Sequence, residues 1–208
     1  MILWIASHNK QLHRGPKLRG TICGSLRSRY HKLHHAVWAS ELSVSVHLRK
    51  LGIIVSNLKN ILIASEAGKN LESIQKAELV PSHGIVGDRY YKKVGTFSEA
   101  LSKSGDFEVT LIESEKIEEF NLHTGLGYTS KDFRRNLVTS GIDLAALVGS
   151  EFKVGEVTLK AVRLCEPCKY LSGLLGQVVM ELMMGKCGIR AVIVKGGEIN
   201  VGDTLSAR

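Results

Sequence analysis

The chain has 208 residues, a hydrophobic fraction of 44% and a formal net charge of +8. This length predicts one principal domain with an ordinary buried core, and the lack of any run of 18 apolar residues predicts no membrane span. Four cysteines at irregular spacing are too few for a disulfide framework and favour a reducing, cytoplasmic environment.

The excess positive charge is confined to residues 1–50, which carry nine Lys and Arg residues and a single acid, Glu41. Residues 51–208 carry equal numbers of basic and acidic residues. This break near Leu51 predicts a basic, His- and Arg-rich N-terminal extension over 1–50, disordered or outside the fold, and one domain over 51–208. Because the extension is poor in acids, organelle targeting stays an open alternative to the cytoplasm.

Two features of the extension bear on binding. His31, His34 and His35 would share one face of a helix and could bind a metal ion, although a solvated segment is the simpler interpretation. Aromatic residues are not interleaved with the basic ones as in a nucleic-acid-binding motif, so binding to DNA or RNA is not favoured.

From residue 52 onwards the patterns mainly predict short strands. They fall at 52–65, 71–80, 107–114, 134–141, 151–165 and 189–203, the last two as strand pairs. Ser114 is expected to cap a helix, Asp143 to cap a helical turn ending at Gly149, and one apolar helix to run from 170 to 185. Short strands with glycine turns and few helices predict a mainly β, α+β fold with a rolled or barrel-like sheet.

The stretch "VRLCEPCKYL", residues 162–171, carries two cysteines, Cys165 and Cys168. A redox pair would need a thioredoxin-like βαβ setting, which the sequence lacks, and a zinc site would need four ligands, whereas Cys187 has no partner at cysteine spacing. A single working thiol remains, and so does a pair that packs as small hydrophobic side chains. Cys168 precedes a predicted helix, whose dipole, with Lys169, would stabilise a thiolate.

Arginines in two further motifs could bind an anion. "GIVGDRYYKK" places Asp88 and Arg89 beside Gly87 at a turn, where Asp88 could orient the guanidinium toward a phosphate or carboxylate. "DFRRN" offers Arg134, Arg135 and Asn136. Since neighbouring strand residues face opposite ways, at most one of the two arginines faces a given site. Arg190 begins a later strand. An ion-paired surface turn is the alternative for the first motif.

These motifs, in this order, resemble the MOSC family, whose domains are similar to the C-terminal domain of molybdenum cofactor sulfurase. The motifs are "GIVGDRYY", "GTFS", "VTLIESE", "RRNLVTSGIDLAALVGSEFKVGEVTL", "RLCEPCKYL" and "GIRAVIVKGGEINVGD", and the resemblance runs from about Asn60 to Leu205. It implies a closed or partly closed β-barrel of the MOSC or pyruvate kinase β-barrel-like type. It also implies a cysteine that ligates molybdenum or carries sulfur; Cys168 corresponds to it best by position, and Cys165 is the second candidate.

The resemblance further implies that Gly87–Arg89 and Arg134–Asn136, together with Arg190, bind the anionic molybdenum cofactor, molybdopterin. Two functions follow. One is a molybdenum-dependent reductase of N-hydroxylated compounds that receives electrons from a donor protein. The other is a non-catalytic carrier that takes sulfur from a cysteine desulfurase as a persulfide. A thiol-disulfide protein using Cys165 and Cys168 is a weaker third alternative.

Overall fold

The computed structural model describes residues 56–102 and 105–207. The predicted extension over 1–50, its histidine face and the boundary near Leu51 lie outside the described residues, so they stay predictions. The strands are β1 (Asn57–Ile63), β2 (Glu72–Ile74), β3 (Lys76–Val80), β4 (Gly84–Ile85), β5 (Val109–Glu113), β6 (Leu137–Ser140), β7 (Glu151–Val154), β8 (Val157–Leu164), β9 (Ile189–Lys195), β10 (Gly197–Asn200) and β11 (Leu205–Ala207).

Eight strands form one mixed sheet in the order β11-β7-β8-β9-β5-β6-β1-β2. Within it β5 and β6 are parallel and the other neighbours are antiparallel. All five residues of β5 are buried, including Thr110 and Glu113, so this strand is covered on both faces.

The sheet curls so that the edge of β1 approaches the segment before β11. Asn57 and Thr204 form an isolated bridge, and the Leu58 N–H donates to the Asp203 carbonyl at 2.8 Å. No continuous strand ladder in the described part of the chain closes the sheet. The prediction of a sheet-dominated α+β fold is therefore confirmed, whereas a closed barrel is not seen.

The remaining strands form a small sheet in the order β10-β3-β4. The single strand predicted over 71–80 is wrong, because the chain leaves the large sheet after Ile74 and enters the small one at Lys76. The strand pair predicted over 189–203 is also split, since β9 lies in the large sheet and β10 in the small one. The pair predicted over 151–165 is confirmed, with Val154 opposite Val157.

The helices lie on one face of the large sheet or at its margins. They are α1 (Ser98–Ser102), α2 (Ser114–Thr124), α3 (Lys169–Leu175) and α4 (Val178–Leu182), with a 3-10 helix at Ala145–Leu147. The helix predicted over 170–185 is broken at Gly176, whose φ of 83° and ψ of 163° are not helical. The residue before α2 is Glu113 rather than the predicted cap Ser114, while Asp143 Oδ1 does accept the Ala146 N–H at 3.2 Å.

Two apolar clusters sit on opposite faces of the large sheet. One lies within its curl and includes Leu111, Phe152 and Ile189. The other lies between the sheet and α2, α3 and α4 and includes Phe120 and Leu171. No helix in the described ranges is long and apolar enough to cross a membrane.

Candidate functional site

The predicted Gly-Asp-Arg turn is held by several hydrogen bonds to the Asp88 carboxylate. Gly87 has a φ of 87°, a conformation that favours glycine. Asp88 is buried and its Oδ1 accepts both from Arg89 Nη1, at 3.0 Å, and from the Ala64 N–H, at 3.1 Å. Its Oδ2 accepts the Tyr90 N–H at 3.0 Å. The carboxylate therefore fixes the turn and the guanidinium together, and the Arg89 guanidinium lies over the Tyr90 ring, 4.8 Å from its centroid.

Arg134 lies close to this turn in an unusual backbone conformation. Its φ is 61°, a backbone angle that residues other than glycine seldom adopt. Its Nη1 donates to the Lys69 carbonyl at 2.6 Å. Burial lowers the pKa of Arg134, and the nearby charge of Arg89 lowers that pKa further. Two guanidinium groups are thus held near each other, an arrangement that an anion between them would stabilise.

Arg135 points to a different place from Arg134. It is buried, and its guanidinium bonds to the backbone of Phe133, Cys165 and Cys187 and to the Cys187 sulfur. Burial acts to lower the pKa of Arg135, but the sulfurs of Cys165, Cys187 and Cys168 outweigh it and that pKa is raised. The two adjacent arginines therefore serve two regions, and Arg134 is the one beside Arg89.

The cysteines of the "CEPC" segment differ in exposure. Cys165 follows β8 and is 4% exposed, whereas Cys168 is exposed and directly precedes α3. Cys187, which the sequence left without a partner, is buried, and burial raises the pKa of its thiol to about 11. Cys168 is thus the accessible thiol of the three.

The structure connects Cys168 with the arginine pair through the first turn of α3. Tyr170, two residues after Cys168, lies close enough to Arg134 to oppose the lowering of the Arg134 pKa, and so does Tyr90. Tyr170 is 37% exposed. The first turn of α3, which follows the exposed Cys168, therefore lies near Arg134, and Arg134 in turn lies near the buried Arg89.

Two predicted ligand residues have other partners. Asn136 is buried, and its Oδ1 accepts from Thr110 Oγ1 at 2.8 Å while its Nδ2 donates to the Leu62 carbonyl at 3.1 Å. It thereby joins β1 and β5 beside the start of β6. Arg190, on β9, donates to the Asp106 carbonyl at 3.5 Å. Their assignment to cofactor binding stays a prediction.

Sequence reasoning missed Tyr90, Tyr170 and Lys69, and it gave Cys187 no role. The tyrosines stand next to predicted site residues and could have been found from that adjacency. Lys69 and Cys187 contribute through contacts 65 and 52 residues away in the chain, which no local pattern reveals. Within the described ranges, no group of three or more His, Cys, Asp or Glu side chains is placed to hold a metal ion, so a metal here would need ligands from a cofactor.

The sequence of residues 83–206 matches the MOSC domain. The chain belongs to the MOSC domain family. The match contains the Gly87–Arg89 turn, both arginines of "DFRRN" and all three described cysteines, and it confirms the resemblance drawn from the motifs. No protein among the curated ones compared matches the chain.

Solved structures share the fold of this MOSC chain at low sequence identity. The YUAD protein from Bacillus subtilis is 19% identical, with a TM-score of 0.61 over 73% of this chain and 94% of that one. YiiM from Geobacillus stearothermophilus is 12% identical, with a TM-score of 0.54 over 74% and 75%. YiiM from Escherichia coli is 17% identical, with a TM-score of 0.53 over 73% and 69%. At these identities the likeness concerns the fold alone.

Proposed function

We propose that this MOSC domain binds the molybdenum cofactor, with Cys168 as the protein ligand of the metal and with Arg89 and Arg134 on the anionic part of the cofactor. The observation that carries the proposal is the pair of neighbouring guanidinium groups near Tyr170, which follows the exposed Cys168 by two residues. Bringing two like charges together costs free energy, and an anionic ligand between them would offset that cost.

The chemistry of these groups suits the cofactor. A pterin dithiolene that ends in a phosphate is anionic, and arginine is the side chain best shaped to hold phosphate oxygens. Among the described residues no carboxylate pairs with Arg134, so its charge is available to a ligand. A thiolate is a soft donor that suits such a metal.

When bound, the cofactor would supply two-electron reduction of N-hydroxylated compounds, with electrons from a donor protein. The residues of the chain would bind and orient. Cys168 would hold the metal at the surface, where a substrate can reach it. Asp88 would keep the Arg89 guanidinium in place through the 3.0 Å ion pair. Tyr90 and Tyr170 would flank the opening.

A second candidate, a sulfur carrier, is favoured by the exposure of Cys168. A cysteine desulfurase must reach the acceptor thiol directly, and this thiol meets that requirement. The thiol-disulfide alternative is less favoured, because Cys165 is buried and its backbone is bonded to Arg135 and Gly188.

Elemental analysis tests the proposal. The protein is purified from a host that makes molybdenum cofactor, and molybdenum and zinc are measured in the wild type, Cys168→Ser and Cys165→Ser. We expect about one molybdenum per chain in the wild type and in Cys165→Ser, and none in Cys168→Ser. Wild-type protein without molybdenum would refute cofactor binding, and cyanide-releasable sulfur on Cys168 in that protein would then support the carrier.

An arginine variant tests the anionic end of the same site. Arg134→Gln removes the charge while leaving the buried ion pair of Asp88 and Arg89 intact. Cofactor retention should weaken by about 1–3 kcal/mol, the contribution of a charge-assisted hydrogen bond. The measurement is the molybdenum content during stepwise dilution, with Lys76→Gln as the control, since Lys76 forms an exposed pair with Glu198. Equal loss in both variants would contradict the role of Arg134.

A further inference from the structure

Arg135 is a buried cation that has no carboxylate partner among the described residues. The residue is 7% exposed, and its guanidinium N–H groups donate to three backbone carbonyls and one thiol. The partners are the Cys187 carbonyl at 2.9 Å, the Phe133 carbonyl at 3.1 Å, the Cys165 carbonyl at 2.9 Å and the Cys187 sulfur at 3.0 Å. A guanidinium so far from water needs all of these acceptors, because an unmet charged donor is costly inside a protein.

Two of these partners, Cys165 and Cys187, lie at the two ends of the segment that connects β8 to β9. Cys165 is the first residue after β8, and Cys187 lies two residues before β9 begins at Ile189. Between them runs a segment, residues 166–186, that carries Cys168, α3 and α4. The Cys165 N–H also donates to the Gly188 carbonyl at 2.8 Å. Arg135 thus bonds both ends of the segment at the point where it leaves and rejoins the sheet.

We infer that Arg135 is a positioning residue that fastens the two ends of the 166–186 segment and thereby fixes the position of Cys168 within it. The inference rests on the proposed function only in treating Cys168 as the working thiol. The Arg135 guanidinium can bond three carbonyls and a sulfur at once because five N–H groups project from one rigid plane.

Lysine cannot replace this arrangement. The variant Arg135→Lys keeps the positive charge. Its ammonium group is compact and has three N–H donors on one atom, so it cannot bond to Cys165 and Cys187 at both ends of the segment in the same way. The segment should then open locally more often while the sheet stays folded, because local opening depends on the contacts that tie a segment down. The position of the Cys168 thiol, and with it the access of a reagent to the sulfur, should change with it.

Hydrogen exchange and alkylation of the full chain test this inference without any cofactor. In Arg135→Lys we expect amide exchange in 166–186 to rise about tenfold relative to wild type, with β1, β5 and β6 unchanged. The time course of Cys168 alkylation at one fixed pH, its alkylation profile, should also change. Arg163→Gln is the matched control, since it removes one arginine charge from β8, where Arg163 pairs with Asp106. Unchanged exchange and an unchanged alkylation profile in Arg135→Lys would overturn the inference.

A second pair of variants keeps the test decisive if Arg135→Lys fails to fold. Cys187→Ala removes the sulfur acceptor, whereas Cys187→Ser keeps an acceptor at the same place. Exchange in 166–186 and the alkylation profile should change in the alanine variant and return to wild-type values in the serine variant. If both variants behave alike, the bond to the Cys187 side chain does not position the segment. Molybdenum content is measured separately. If the protein fails to bind the cofactor, the exchange and alkylation results still test the role of Arg135, because neither measurement needs the cofactor.

Discussion

At the scale of single residues, Arg134 combines an unfavourable backbone conformation with a charged side chain. Its φ of 61° costs a residue with a Cβ about 1 kcal/mol or more, while glycine adopts that conformation without strain. Arg134→Ala and Arg134→Gly remove the same side-chain contacts. We therefore expect Arg134→Gly to be more stable than Arg134→Ala by about 1 kcal/mol, the reverse of the usual order. Urea unfolding of the two variants measures the difference, and a more stable alanine variant would contradict the strain.

The residues of the candidate site were only partly predictable. The Asp88–Arg89 pair and the exposed Cys168 follow from local patterns, a glycine turn and a cysteine before a helix. The different partners of Arg134 and Arg135 do not follow from local patterns, because they depend on which distant backbone carbonyls each guanidinium reaches. Strand alternation predicted that the two arginines diverge, but both precede β6, which begins at Leu137, and only the fold shows that Arg135 meets Cys165 and Cys187.

At the scale of elements, Gly188 permits the close contact between the start of β9 and β5. A Cβ at this position would lie 1.9 Å from the Leu111 carbonyl oxygen, and its φ is 88°. Gly149 has a φ of 90° and open space around it, so it is a matched control for the backbone conformation alone. Gly149→Ala should lose about 1 kcal/mol of stability, and Gly188→Ala should lose clearly more because β9 must move away from β5.

Thermal and urea unfolding of the two glycine variants measure this difference. Comparable losses would show that the contact with Leu111 is relieved by a small shift of the chain. The same contact bears on the site, because Gly188 follows Cys187 and accepts the bond from the Cys165 N–H. A displaced β9 should therefore also raise the alkylation rate of Cys165.

The elements that sequence patterns predicted poorly share one cause. The 71–80 stretch alternates like one strand, yet Gln75 separates two strands that join different sheets, and its carbonyl accepts the Val201 N–H at 2.9 Å. The apolar run 170–185 predicts one helix, yet a glycine inside it allows two short helices to cover the sheet. In both cases tertiary pairing overrides a local pattern that is compatible with either outcome.

At the scale of the whole molecule, one buried carboxyl links the two sheets. Glu108 Oε2 accepts the Ser82 N–H, at 3.1 Å, next to the small sheet, and the Ile193 N–H, at 2.9 Å, on β9. Burial raises the pKa of Glu108 above its ordinary value of about 4.5, although these two bonds and nearby His83 oppose the rise. Compared with the unfolded chain, the folded state therefore favours the protonated form of the Glu108 carboxyl.

This raised pKa predicts the direction of a pH effect on stability. The stabilising contribution of Glu108 is fully present below its ordinary pKa and is lost as the pH rises through its higher folded value, because the unfolded chain ionises first. Glu108→Gln keeps an oxygen that can accept both N–H groups but cannot ionise. We expect the free energy of unfolding to fall less steeply between pH 4 and pH 7 in Glu108→Gln than in the wild type, as followed by urea unfolding. Glu198→Gln, an exposed residue paired with Lys76, should retain the wild-type slope. Parallel slopes in all three proteins would show that the two N–H groups offset the burial of Glu108 completely.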